Sequence, residues 1–388
     1  MRRFKRTLVA AALATTVIAG TAGWATGNEQ TAVTSPPAGT AAWRADHFLH
    51  RNLPDPATAA PSDIAAFFAG LPASARHELA ARHPLVVGNL DGAPVTLRYE
   101  ANARALTAER AAERSRVADT RLPRAEREAA RERADRCTRL LAPGRQILAF
   151  DPRGRGQLAE VYGDWSAARR TAVVVPGSDI DLTSFDRTND PYGAPAGMAR
   201  ALRAEMTRQA PAVPNAVMAW AGYTTPVGVG LDSATGRLAQ AGAPRLERFL
   251  AGLGAPHAPA VFCHSYGSVV CGLAAHALDG NRAADLVMLA SPGVRADSAA
   301  ALHTGARVWA TRRNDADWIS DVPNVRFLGL GHGADPTSAA FGARPVPSTG
   351  AHGHSGYFAP GTDSLRNFAR IALGRPVGTA YAVSGGSV

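Results

Sequence analysis

From residue 142 onward the chain is a succession of short, uninterrupted apolar runs, and this pattern restricts the fold more than any other feature. "TAVVVPG", "AVMAWAGY", "APAVFCH", "DLVMLASP", "RVWATR" and "VRFLGLG" follow one another, most of them separated by a stretch able to form a helix. A strand exposed on one face alternates apolar and polar residues, whereas a continuously apolar strand must be covered on both faces. Strands of this kind alternating with helices predict an α/β fold with a mostly parallel central sheet and helices on both faces. Ahead of them, "RQILAFD" and "GQLAEVYGDW" flank the turn-rich "PRGRG", which predicts an antiparallel hairpin.

The preceding region reads differently. Residues 46–141 are helical and polar: "PSDIAAFFAGLPASARHELAARHP" has apolar positions at helical spacing behind a Ser62 or Asp63 cap. The arginine- and glutamate-rich stretch that follows is interrupted at Pro123. Its acids and arginines recur three or four residues apart, as expected of a charged helical hairpin facing water. At the N-terminus, "MRRFKR" followed by "TLVAAALATTVIAG" and a small-residue site ending at Ala25 has the form of an export signal over residues 1–25. A linker over 26–45, an α/β domain over 142–375 and a flexible tail over 376–388 complete the expected organisation.

Charge and cysteine content exclude several function classes. The chain carries a net charge of +10, of which Arg2, Arg3, Lys5 and Arg6 belong to the expected signal. Lys5 is the sole lysine, and no basic run is interleaved with aromatics, so nucleic-acid binding is not expected. Once the signal is removed, no stable membrane span is expected either. Cys137, Cys263 and Cys271 make no metal-binding pattern. Cys263 and Cys271 would stand at a strand end and in the second turn of the next helix. Their side chains are not expected to meet within disulfide reach, so buried free thiols are anticipated.

The chemistry centres on "VFCHSYGSVV", residues 261–270. A serine placed in a sharp strand-to-helix turn projects its hydroxyl above the sheet as a nucleophile, and the residues two before and two after it must be small. Ser265 occupies that junction, with Gly267 after it and Cys263 before it. The histidine that accepts its proton should follow the last strand; His354 is the choice, with His332 and His352 as rivals. The acid that orients the histidine should follow "RVWATR". Asp317 is preferred over Asp315 because Trp318 and Ile319 can anchor it by packing, and Asp335 is a further rival. The backbone N–H groups of Tyr266 and Ser178 are placed as the oxyanion hole. Trp220 and Tyr223, at the end of another strand, either line the substrate pocket or belong to the core.

Taken together, "VVVPGSDID", "AWAGYTTP", "CHSYGSVVCGLAAHAL", "LVMLASPGV", "DADWI", "GADPTSAAFGAR" and "GHSGYF" resemble the DUF1023-type α/β-hydrolases, with the match running from about residue 145 to 373. The resemblance implies a serine-hydrolase triad at Ser265, Asp317 and His354, with no cofactor and no metal. Cys263 departs from that family's usual glycine. The expected activity is that of a secreted serine hydrolase cleaving carboxylic esters, with a small-molecule or lipid-like ester as substrate. An amidase or peptidase using the same triad, and a non-catalytic binding module of the cell envelope, are the alternatives. Neither the natural substrate nor the oligomeric state follows from the sequence.

Overall fold

A computed structural model of the chain describes residues 29–377, apart from 51, 255–256 and 313–316. The expected signal over 1–25 and most of the tail therefore lie outside the described residues. Eight strands form one sheet in the order β1-β2-β4-β3-β5-β6-β7-β8. They are β1 (Gln146–Asp151), β2 (Gln157–Tyr162), β3 (Arg170–Val175), β4 (Asn215–Ala221), β5 (Ala260–His264), β6 (Asp285–Leu289), β7 (Arg307–Thr311) and β8 (Arg344–Pro345). β2 runs antiparallel to both β1 and β4, and every pairing from β4 onward is parallel. The hairpin and the parallel strands thus appear where the apolar runs predict them. This is the α/β-hydrolase fold.

Period-2 alternation along the buried strands distributes their side chains between two cores. Ala172 and Val174 of β3 and Phe262 of β5 face one side. There they meet α7 (Pro195–Gln209) and α11 (Asp363–Ala372). Val173, Val175, Val261 and Cys263 face the other side, covered by α9 (Arg237–Ala251), which follows the one-turn α8 (Leu231–Ala234), and by α10 (Gly267–Ala274). α11 begins on a Thr362 side chain that accepts a hydrogen bond from the Leu365 N–H at 3.2 Å, an N-cap.

Two expectations give way. The run "VRFLGLG" is not a strand: Val325, Phe327 and Leu328 are exposed loop residues, and the eighth strand is the two-residue β8 instead. A short parallel edge strand needs only one neighbour, and "RP" supplies it without an apolar signature. The N-terminal helices are also less free than a hairpin facing water. They comprise α1 (Thr40–Arg44), α2 (Pro61–Ala69), α3 (Ala73–Arg82), α4 (Pro84–Gly88), α5 (Val95–Ala118) and α6 (Arg124–Leu140). α2 opens on Pro61 with no side-chain cap from Ser62 or Asp63. Ala105, Leu106, Cys137 and Leu140 of α5 and α6 pack into the first core. Arg98 and Asn102 of α5 donate to the backbone carbonyls of Leu148 and Ile147 in β1, both at 3.1 Å. The segment expected as a linker is tied down as well. Val33 N–H donates to Thr224 Oγ1 at 3.1 Å, Arg153 donates to Ser35, and Trp43 is fully buried.

Candidate active site

Ser265 sits at the tip of β5 with φ of +53°, a left-handed conformation that is costly for a residue bearing a Cβ. Two features hold it there. Its N–H donates to Leu289 O in β6 at 2.9 Å, and its own carbonyl accepts from Ser268 Oγ at 2.6 Å. Ser268 in turn bonds Ser291 Oγ at 2.6 Å, so a buried pair of serines braces the turn from below. The small residue at 267 is required by contact: a Cβ there would lie 2.5 Å from Pro176 O.

Cys263 and Cys271 are joined in a disulfide, with their Cα atoms 6.4 Å apart, which corrects the expectation of free thiols. Strand alternation turns Cys263 toward α10. Gly267 packs against the loop after β3, and Cys271, one helical turn beyond Gly267, returns to that same sheet-facing side. The bridge spans the elbow and encloses Ser265. Cys137 is a buried free thiol whose ionisation burial pushes up to about 11.

His354 lies between Asp317 and the elbow. Its Nδ1–H donates to Asp317 Oδ1 at 3.0 Å, leaving Nε2 as the lone-pair nitrogen; Nε2 is buried and has no hydrogen-bond partner among the described residues. Its backbone carbonyl accepts from His264 Nε2 at 2.9 Å, and the two imidazole rings are 4.9 Å apart. Burial and the neighbouring His354 push the His264 pKa down to about 3, so His264 is a neutral brace one residue from Ser265. The Trp318 ring lies 4.5 Å from the His354 ring on its other side.

Asp317 is fully buried. Its Oδ2 accepts from Tyr357 O–H at 2.5 Å, and its Oδ1 also accepts from Ile319 N–H at 3.2 Å. Burial alone would raise its pKa, but the hydrogen bonds from His354 and Tyr357 outweigh it and hold the carboxyl at about 2. Asp335 is engaged elsewhere, paired with Arg312 at 2.9 Å and capping Thr337. His332 bonds Ser233 O at 2.7 Å, and His352 is exposed. Asp315 lies outside the described residues. The structure therefore joins His354 to Asp317 and sets His354 against His264, the residue before Ser265, while Asp335 and His332 are engaged elsewhere.

The loop after β3 passes directly over the serine. A Cβ on Gly177 would lie 2.6 Å from Ser265 Cβ, so the backbone carrying the Ser178 N–H runs beside the hydroxyl, as does that of Tyr266. Tyr223 does not line an open pocket. It is buried in the core, stacked on Trp220 at 6.0 Å, and its O–H donates to Pro176 O at 2.7 Å, holding the carbonyl side of this loop. Trp220 is likewise core, against Phe249. Both lie on the α9 face of β4, which explains why neither reaches the serine. Tyr357, His264 and Ser268 were not singled out in the sequence. Tyr357 stands three residues after His354, and that spacing was the one signal available for it.

Large apolar side chains are exposed on nearby loops, Trp318 against His354 among them. Val227, Val229 and Leu231 in the loop after β4, Trp318, and Val325, Phe327 and Leu328 in the loop before β8 are all exposed. The two loops are tied together: Gly331 N–H donates to Ala234 O at 2.8 Å, and Leu330 pairs with Thr235.

Residues 151–327 match the model of an α/β-hydrolase family. Among curated proteins, uncharacterised proteins from two strains of Mycobacterium tuberculosis are 30% identical over 86% of this chain; the chain spans 58% of their length. Among solved structures, VinJ (16% identity, 39% of this chain and 45% of that one) aligns with a TM-score of 0.24. A 2-hydroxy-6-oxo-6-phenylhexa-2,4-dienoate hydrolase from Rhodococcus sp. strain RHA1 (15%, 37% and 44%) aligns with a TM-score of 0.23. Scores this low add nothing to the strand order, which stands on its own. The strand order is that of the α/β-hydrolase fold, and residues 151–327 within it are similar to the α/β-hydrolase family.

Proposed function

We propose that this hydrolase cleaves carboxylic esters through an acyl-enzyme on Ser265. The observation that supports the reading is a strained, braced serine next in sequence to His264, whose ring packs on His354, with one His354 nitrogen held by Asp317 and the other without a partner among the described residues. Ser265 Oγ attacks the ester carbonyl carbon as its proton passes to His354 Nε2. Asp317, kept ionised by Tyr357 and His354, stabilises the imidazolium that forms. The amides of Tyr266 and Ser178 receive the oxyanion, each worth about 3 kcal/mol where such donors have been removed. His354 then returns the proton to the departing alkoxide. A water, deprotonated by the same nitrogen, releases the acid and restores Ser265.

The loops after β4 and before β8 favour an acyl chain over a peptide. Their exposed side chains are apolar, and several exposed large apolar residues on two loops tied to each other are the kind of surface an apolar ligand covers. A lipid-like ester is therefore the substrate class of this proposal. Export is part of it too, since a disulfide within the elbow fits an oxidising compartment.

Labelling with a fluorophosphonate, followed by a p-nitrophenyl ester series of rising chain length set against a peptide anilide panel, tests the reading. Ser265→Ala should abolish labelling. At about 0.8 kcal/mol per buried methylene, kcat/KM should climb roughly fourfold per added CH2 while the chain lengthens along these loops. A native protein that resists the label while a control esterase accepts it would make this a binding module. Faster cleavage of anilides than of esters would make it an amidase.

A further inference from the structure

A cavity of about 280 Å³ lies away from Ser265, which does not line it. It opens between the N-terminal segment, the ends of β1 and β2, and α9, on the far side of β4 from β3 and β5. The Pro36–Pro37 segment covers it, and Trp220 forms part of its apolar wall.

Its polar lining is unbalanced. Arg98, Arg245 and Arg248 face the cavity together with Asp91 and Asp151. Asp151 is already taken by Arg153, at 2.6 Å. Asp91 alone serves both Arg98, at 3.2 Å, and Arg248, at 3.8 Å. Arg245 has no carboxylate within ion-pair distance among the described residues. Its Nε donates to Gly222 O at 2.6 Å and its Nη2 to Gln157 Oε1, both neutral acceptors. Four guanidinium groups thus share two carboxylates, and two positive charges are left without a counter-ion.

Two donors at the cavity are also idle. Gln157 is only 4% exposed and lines the cavity, yet among the described residues its Nε2 has no hydrogen-bond partner, and neither has the buried Arg248 Nη2. A buried donor without an acceptor and a desolvated cation without an anion are each costly. Both costs are relieved by one kind of occupant, an oxyanion that accepts from several N–H groups at once.

We propose that this cavity is a binding site for a compact dianion, a phosphate monoester or small dicarboxylate, held by Arg245, Arg248 and the Gln157 amide. The site is independent of the ester chemistry at Ser265.

Calorimetric titration of the full chain with inorganic phosphate and, separately, with malonate, at ionic strength fixed with chloride, tests the proposal. Expected is one-to-one binding of at least one of them with Kd below about 1 mM. A response to phosphate alone, or to malonate alone, identifies the source of the oxyanion. Arg245→Met should weaken binding at least tenfold while leaving fluorophosphonate labelling of Ser265 unchanged, which also reports that the variant is folded. Gln157→Glu gives Arg245 an internal carboxylate. It should abolish anion binding and at the same time raise the melting temperature of the ligand-free protein. No heat beyond that of chloride, or binding indifferent to the Gln157 substitution, overturns the proposal.

Discussion

Replacing Tyr357 with Phe removes one hydroxyl and leaves a ring of the same shape in a fully buried position. What is lost is the 2.5 Å bond to Asp317 Oδ2. A hydrogen bond to a charged group contributes about 1.5–3 kcal/mol, and the oxygen it leaves behind has no water to turn to. Asp317 sits near pKa 2, below the ordinary value of 3.8. A depression of roughly 2 units corresponds to about 2.5 kcal/mol of folding stability, shared between His354 and Tyr357. Tyr357→Phe should therefore cost about 2 kcal/mol near neutral pH. Because the folded pKa is lowered, this contribution is complete above about pH 4 and disappears as pH falls toward 2. The gap in melting temperature between the wild type and the variant should accordingly be several degrees from pH 7 down to about pH 4 and close as pH falls further toward 2. Ester turnover should fall about tenfold, equivalent to 1.4 kcal/mol in the barrier, because the imidazole loses part of its fixed support. Melting curves across pH 2.5–7 with parallel rate measurements decide the matter. A gap that is absent, or that stays constant with pH, would refute the assignment of Tyr357 as the second support of a charged Asp317.

The remaining predictions concern the same centre. Asp317→Asn should lower turnover by about four orders of magnitude, as in serine-histidine-acid sites generally, whereas Asp335→Asn, which breaks only the pair with Arg312, should not; kcat on a short-chain ester separates the two. Gly177→Ala places a methyl group 2.6 Å from Ser265 Cβ, so fluorophosphonate labelling should slow at least a hundredfold while the fold, read by circular dichroism, persists. Reducing the Cys263–Cys271 bridge under mild denaturant, or replacing both with Ala, should slow labelling of Ser265 more than it alters substrate KM, because the bridge encloses the nucleophile and no part of the apolar loops; unchanged labelling would leave the bridge a purely structural link.

Sequence reasoning found the sheet because buried parallel strands advertise themselves: "TAVVV" and "APAVF" have few other places to go. It placed Ser265 at a strand-to-helix junction, where the structure has it, because such a junction is a local pattern. It failed where burial and local pattern disagree. "VRFLGLG" has the composition of a core strand and is spent on an exposed loop. The two-residue β8 has no apolar signature at all. Tyr223 and Trp220 stand at the correct end of β4 but point to its other face, a distinction that a period-2 shift in register decides. Tyr357 acts through Asp317, forty residues away, and beyond its three-residue spacing from His354 nothing local in the sequence marks that contact.

The bridge across the elbow also bears on how such chains are to be searched for and how they change. A glycine two residues before the nucleophile can be exchanged for another small residue alone, but a half-cystine there is one end of a pair, and its partner stands six residues after the serine. The two positions are thus coupled: losing Cys271 first would strand a thiol at 263 against the helix, and losing Cys263 first would do the same at 271. Chains built this way carry Cys-x-Ser-x-Gly-x-x-x-Cys, a signature that a search written for glycine at the first position passes over.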